Sequence, residues 1–186
     1  MMQYFYPCKP VYIHPDSTTA KQLDNNTDWV AELKKNGWRC LVYKSGDTVT
    51  LYTRHKTIIN DPLTDIREYF KQLEGNFIID GELIEKRTKH FKGLFYAFDI
   101  LYKNNKLLVN LPLQSRREIL DETIKQHDSI QKPDWEYVNK LALYQSTLNS
   151  NIDEGIVLKK LDSRYKISNV SCQPYSLWLK IKQTNT

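Results

Sequence analysis

Nowhere in these 186 residues is there an apolar run approaching the roughly 18 residues that a membrane span requires. The N-terminus, Met1-Met-Gln-Tyr-Phe-Tyr-Pro7, lacks the basic region and long apolar core of a secretory leader. These absences predict a soluble, cytoplasmic protein with no membrane partner. Cysteine is scarce and scattered. Cys8, Cys40 and Cys172 are odd in number, widely spaced and without a CxxC or nearby histidine pattern, so neither a disulfide framework nor a zinc site is indicated. Internal repeats, low-complexity tracts and linkers are missing too, and the length suits one domain over residues 1–186. The dense basic stripe of a dedicated nucleic-acid arm is also lacking. A balance of 27 basic to 22 acidic residues still leaves a charge of +5, which favours a polyanionic partner without identifying one.

What the chain does have is alternating strand and helix patterning. Enrichment in Val, Thr and Tyr with Gly-centred breaks predicts a β-meander over 29–34, 38–43 and 48–53, turning at Lys35-Asn-Gly37 and Lys44-Ser-Gly-Asp47. Asp61-Pro62 reads as the cap and first position of a helix, with Leu63, Ile66, Phe70 and Leu73 at helical spacing up to Gly75. Residues 76–85 and 94–102 read as strands, the second apolar on both faces as a central strand is, followed by a turn at Lys103-Asn-Asn-Lys106. Pro112 opens a helix carried by Leu113, Arg116, Ile119, Leu120 and Ile124, a short helix covers 140–148, and strands close the chain at 155–160 and 175–182. Strands interspersed with helices, without regular βαβ alternation, predict an α+β fold with mainly antiparallel sheets.

Chemistry concentrates at a few points of this pattern. A lysine becomes a nucleophile only as a neutral amine, and burial or neighbouring cations lower its pKa. In a strand, Glu32 and Lys34 share a face, and Arg39, Lys180 and Lys182 are candidate neighbouring cations. Taken alone, Lys34-Lys35 reads as an exposed dipeptide before a hairpin turn. Asp80 and Glu82 likewise share one side of a strand, with Gly81 leaving room for a close ligand; such carboxylates accept from a ribose hydroxyl, hold a hard cation, or simply face solvent. Phe98 is either core or a platform for a purine ring. Glu154 and Gly155 open a strand as a metal-facing acid and a permissive hinge. Lys180 and Lys182 stand on one face with Leu179 and Ile181 on the other, a spacing that suits phosphates or an edge strand.

Together, Lys34-Lys-Asn-Gly37, Thr53-Arg54, Asp80-Gly-Glu82, Phe98-Asp99, Glu154-Gly155 with Lys159, and Lys180-Ile-Lys182 resemble the motif set of the covalent nucleotidyltransferases. That superfamily comprises ATP-dependent DNA ligases, RNA ligases and mRNA capping enzymes, and the likeness spans about residues 7 to 182. Leu111-Pro-Leu-Gln-Ser-Arg-Arg117 and Glu154-Gly-Ile-Val-Leu-Lys-Lys-Leu-Asp-Ser-Arg-Tyr165 are similar to the bacterial and phage ATP-dependent DNA ligases in particular. The resemblance implies an ATP-grasp-like nucleotidyltransferase domain, with helices flanking the sheets and the nucleotide pocket between them. It implies that Lys34 attacks the α-phosphate of ATP to form Lys-AMP, that AMP passes to a 5′-phosphate at a nick in duplex DNA, and that the adjacent 3′-hydroxyl displaces it. RNA is the alternative substrate.

By the same resemblance Glu32 accepts from the adenine amino group, Leu33 belongs to the nucleotide-binding set, Phe98 stacks on the base and Glu82 takes the ribose hydroxyl. Arg39 and Arg54 contact ribose and phosphates, Lys159 meets the α-phosphate, and Lys180 and Lys182 neutralise phosphate charge. Glu82 and Glu154 are implied to hold Mg²⁺ or Mn²⁺. Two departures stand out: Asn36 occupies the aspartate position of the lysine motif, and the OB-fold domain that usually follows is expected to be absent from this chain. A monomer is expected, with a partner protein supplying the missing surface. Asn36 also motivates the contrary expectation of a nucleotide- or DNA-binding module with impaired catalysis.

Overall fold

The computed structural model describes residues 3–60, 63–88, 91–125 and 127–183. Its strands are β1 (Lys9–Tyr12), β2 (Trp29–Lys35), β3 (Trp38–Ser45), β4 (Thr48–Thr53), β5 (Phe77–Thr88), β6 (Phe91–Lys103), β7 (Lys106–Leu107), β8 (Ile130–Gln131), β9 (Asp153–Lys160) and β10 (Pro174–Lys182). The helices are α1 (Thr18–Leu23), α2 (Thr64–Gln72), α3 (Leu113–Thr123) and α4 (Lys140–Ser146). One sheet has the order β1-β10-β9-β2. The other runs β4-β3-β5-β6-β7, with β8 also pairing β6. Pairing is antiparallel except for β1 with β10 and β8 with β6.

Period-two alternation sorts the side chains into layers. Along β3, Leu41 and Tyr43 face the other sheet and cluster with Ile78 and Leu101 of their own sheet and Val30 and Trp178 of the facing one. Cys40 and Val42 point the opposite way, into a core shared with Ile66 and Phe70 of α2 and Leu120 of α3. Both faces of β3 are therefore buried, which is why Cys40-Leu-Val-Tyr43 carries no exposed polar position. In the smaller sheet Ile156, Leu158, Leu179 and Ile181 face Ala20, Leu23 and Tyr144 of α1 and α4. The result is helices, sheet, sheet and helices in succession, with the seam between the sheets left for polar residues at one end.

The expected meander breaks at its first turn. β2 pairs with β9, whereas β3 pairs with β4 and β5, so Asn36-Gly37 carries the chain from one sheet to the other. A two-residue hairpin of the favoured type needs positive φ at its centre, and neither Asn36 nor Gly37 has it. Gly37 is there for proximity instead: a Cβ would lie 2.5 Å from the Leu83 carbonyl oxygen of β5. The other turns follow the sequence pattern, with positive φ at Gly46 between β3 and β4 and at Asn104 and Asn105 between β6 and β7. The start of the second helix at Asp61-Pro62 lies outside the described residues.

Arg116 sits among the apolar positions of α3 and is wholly buried. Its guanidinium donates to both oxygens of Asp99 on β6, at 2.8 and 2.9 Å, and to the carbonyls of Leu111 at 2.6 Å and Ser163 at 2.9 Å. One side chain thus ties the central strand, the start of α3 and the segment after β9. Removing one member of such a pair strands a buried charge, which costs about 3–5 kcal/mol. Arg116→Ala should lower folding stability by that amount in urea denaturation, far more than Arg117→Ala, whose partner Asp121 is 45% exposed.

Candidate active site

The polar end of the seam opens into a cleft of about 840 Å³. One wall comes from the smaller sheet, with Glu32 and Lys34 of β2, Glu154 and Lys159 of β9 and Lys180 of β10. The facing wall comes from Arg39 of β3, Glu82 of β5, Phe98 of β6 and the Thr53-Arg-His55 segment. Leu33 and Asn36 also line it. Eleven of the candidate site residues line the cleft; Asp80 is buried behind it, and Lys182 is exposed two residues beyond Lys180 and acts on the cleft by charge.

Lys34 is half-buried, with its Nζ in direct contact with Glu154 Oε1. Burial, followed by the charges of Lys180, Arg39 and Lys182, lowers its pKa to about 8, while Glu82 opposes them. Glu154, in contact, works against burial as well, since an adjacent carboxylate favours the ammonium. Gly155 makes that approach possible: its φ is +146°, and a Cβ there would run into the Ile181 carbonyl of β10. The neighbouring Lys35 pairs with Asp153 at 2.6 Å and lies 4.8 Å from the Tyr96 ring. Two consecutive lysines of β2 thus meet two consecutive acids of β9. A register shift between Lys34 and Lys35 sets the two pairs side by side.

Asp80 and Glu82 share a face as expected, yet they serve different ends. Asp80 is fully buried and accepts from Arg39 Nε at 2.6 Å, from the other Arg39 nitrogen, and from the Tyr165 hydroxyl. The fork holds the Arg39 guanidinium 4.5 Å from the Phe98 ring centre. Glu82 faces the cleft, and burial raises its pKa while Arg39 and Lys34 pull it down. The space at Gly81 belongs to the protein: a Cβ there would meet the Phe95 ring at 2.4 Å and the Tyr96 carbonyl at 2.6 Å. Asp80 pairs Asp99 and Gly81 pairs Ala97, so Phe98 is the extra residue of a bulge that turns its ring into the cleft.

At the closed end Glu32 is 3% exposed. Its Oε1 accepts from the Trp135 indole N–H at 2.6 Å, and its Oε2 lies 2.5 Å from Lys159 Nζ. Lys159 is therefore engaged with Glu32 at the floor of the same cleft that Lys34 and Glu154 line. Its ammonium lies 4.5 Å from the Phe98 ring centre and 4.3 Å from that of Trp178. Among the described residues its ammonium has no hydrogen bond besides this charge contact with Glu32. Sequence reasoning missed Trp135, Tyr165 and Lys9. Tyr165 ends a quoted stretch, whereas Trp135 and Lys9 stand in segments with no periodicity to mark them.

Glu82 and Glu154 flank the Lys34 amine with hard oxygen donors. Among the described residues no group of three or more His, Cys, Asp or Glu gathers to hold a metal unaided. No described helix is long and apolar enough to cross a membrane.

The family model of the ATP dependent DNA ligase domain matches residues 13–94 and 84–182. A DNA ligase of Methanocorpusculum labreanum is 30% identical over 202 residues, covering 96% of this chain and 36% of that protein. The SPbeta prophage-derived DNA ligase-like protein LigB of Bacillus subtilis is 25% identical over 190 residues, covering 92% of this chain and 66% of that protein. This chain therefore spans less than two thirds of either relative. Among solved structures, the ligase domain of M. tuberculosis LigD aligns with a TM-score of 0.72 at 21% identity, over 95% of this chain and 59% of that one. Mycobacterial DNA ligase D complexed with ATP and MES aligns at 0.71 and 22%, over 96% and 61%. These likenesses establish the fold.

Because its pKa falls on folding, Lys34 sheds a proton between about pH 8 and the ordinary lysine value of 10.5. The unfolded chain binds more protons in that window, so the cost of burying this ammonium is full below about pH 8 and fades toward 10.5. Amine acylation followed by peptide mapping should show Lys34 reaching half-maximal reactivity near pH 8, ahead of exposed lysines. Glu154→Gln, which removes the contacting charge, should move that midpoint lower.

Proposed function

The chain belongs to the ATP dependent DNA ligase domain family, and on that footing we propose that it is the adenylation module of an ATP-dependent polynucleotide ligase acting on nicked duplex DNA. The observation that carries the reading is a lysine amine lowered to about 8, set in a cleft of about 840 Å³ beside two carboxylates and facing cations. An amine with that pKa is partly neutral at physiological pH, as nucleophilic attack requires.

In the proposed reaction ATP enters with its base toward Phe98, Trp178 and the Glu32–Lys159 floor and its phosphates toward the mouth. Lys34, its ammonium proton lost to water, attacks the α-phosphorus as a neutral amine; a P–N bond forms as the P–O bond to pyrophosphate breaks, and the nitrogen releases a second proton to water. Lys180, with Arg54 and Lys182, faces the charge gathering on the phosphates, the main service a site offers phosphoryl transfer. Arg39, locked by Asp80, keeps a fixed cation beside the ribose and phosphate region. Glu82 and Glu154 would hold Mg²⁺, whose contribution is to neutralise phosphate oxygens. A 5′-phosphate then takes the AMP from Lys34, and the adjoining 3′-hydroxyl displaces it to seal the nick.

Glu32 has a second part in this scheme. One of its oxygens accepts from Trp135 and the other contacts Lys159, so besides its implied role toward the base it is the counter-charge for Lys159. Asn36 stands where the resemblance expects an aspartate, and on that departure we expect a slower enzyme. It is exposed at the cleft rim, its backbone N–H held by the Ile152 carbonyl at 2.8 Å, with a neutral amide where a carboxylate would add charge.

Incubation with α-labelled ATP and Mg²⁺ should transfer one AMP to the protein, read as a covalent label and an intact-mass increase. Lys34→Ala should abolish the label, Lys180→Ala should slow it by roughly a hundredfold, and Asn36→Asp should quicken it. Reversible ATP binding without any label would replace the ligase reading with a binding module. Sealing should be faster on nicked DNA than on nicked RNA and should fall steeply with salt, since phosphate contacts release counterions.

A further inference from the structure

β2 is the edge strand of its sheet, hydrogen-bonded on one side to β9. Its other edge is not left open. The segment before α4 lies against it, with Ala31 N–H donating to the Glu136 carbonyl at 2.8 Å and Glu136 N–H returning to the Ala31 carbonyl at 3.0 Å. This two-bond bridge fixes the backbone on either side of the pair Glu32 and Trp135, one residue from each. The Trp135 ring is held in turn by the Arg117 guanidinium at 5.2 Å and by the edge of Tyr137 at 6.3 Å.

An indole N–H can only donate, and a carboxylate can only accept. At 2.6 Å Trp135 therefore selects one rotation of the Glu32 carboxylate, in which Oε1 faces the indole and Oε2 faces Lys159. Lys159 has no directed hydrogen bond of its own among the described residues, so its seat between Phe98 and Trp178 depends on that oxygen. Turning the carboxylate away would leave a buried ammonium without its counter-charge, at the floor of the cleft.

We propose that Trp135 is a positioning residue for the closed end of the nucleotide cleft: its indole N–H orients Glu32, and Glu32 seats the Lys159 ammonium between the Phe98 and Trp178 rings. Trp135 touches no reacting atom and acts through Glu32 alone. It therefore governs how tightly a nucleotide is held and leaves attack by Lys34, which is paired to Glu154, unaffected. The assignment rests on the ligase-module reading for the identity of the nucleotide.

The test uses Trp135→Phe, which keeps an aromatic ring for Arg117 to stack on and removes only the donor. The KM for ATP in Lys-AMP formation should rise about tenfold, equivalent to about 1.4 kcal/mol, with kcat within about twofold of the natural protein. The Kd for ATP, measured by calorimetry, should rise by the same factor. A merely structural role would lower the amount of active protein, and hence apparent kcat, without that split. Glu32→Gln should also weaken binding, and the double variant should bind no more weakly than Glu32→Gln by itself, because the indole acts only through that carboxylate. Additive losses, or an unchanged KM and Kd in Trp135→Phe, would overturn the assignment. If the natural protein binds ATP but forms no Lys-AMP, the ligase reading fails, and the Kd comparison still decides the role of Trp135.

Discussion

Two sheets packed face to face exclude water from the space between them, and a charge left there needs an opposite charge at contact distance. In this protein the requirement is met along a gradient. Arg116 and Asp99 are closed off completely, with side chains 0% exposed, and knit the fold. Arg39 with Asp80, and Lys159 with Glu32, are nearly as closed but border the cleft. Lys34 and Glu154, at 22% and 32%, form the most open of these four pairs. A substrate can separate only a pair it can reach, and that pair holds the candidate nucleophile.

The cleft exists because β2 and β3, adjacent in sequence, are assigned to different sheets. Crossing between sheets at Asn36-Gly37 puts Lys34 on one wall and Arg39 on the other within six residues of chain. Small backbone devices then aim the side chains. The bulge at Phe98 turns a ring out of a strand whose neighbours Ala97 and Asp99 are buried. Gly155 brings β9 close against β10 where Glu154 meets the amine. The chemistry of the site is thus a property of how two sheets are joined and locally distorted.

Charge is unevenly distributed along the cleft. The floor is neutralised by internal pairs, while the mouth carries Lys9, Arg54, Lys180 and Lys182, three of them exposed. Their mutual repulsion is registered at Lys180, whose pKa burial lowers first and Lys182, Lys9 and Arg54 lower further. Like charges held together at an opening repel one another, and a bound anion of any kind would relieve that cost. An excess of +5 looks unremarkable in composition but becomes directional in the fold.

Much of the architecture was legible because strands buried on both faces and helices with one apolar stripe announce themselves through periodicity. The strands around residues 38–53, 76–102, 155–160 and 175–182 and the helices after Pro112 and at Lys140 are of that kind. The short β1, β8 and α1 fell below any periodic signal. Motif spacing also named eleven of the residues that line the cleft, since period two in a strand places alternate side chains on one face whatever the fold. Sheet membership was beyond reach: Lys35-Asn-Gly37 carries turn residues, and only packing against Leu83 and Ile152 decides that the chain crosses over and does not fold back. Partnership was equally hidden, because Glu32 with Trp135, Asp80 with Tyr165 and Lys34 with Glu154 lie 85 to 120 residues apart. Local pattern determined which residues carry the charges; long-range contact in a dry seam decided which charges hold each other and which one is left within a substrate's reach.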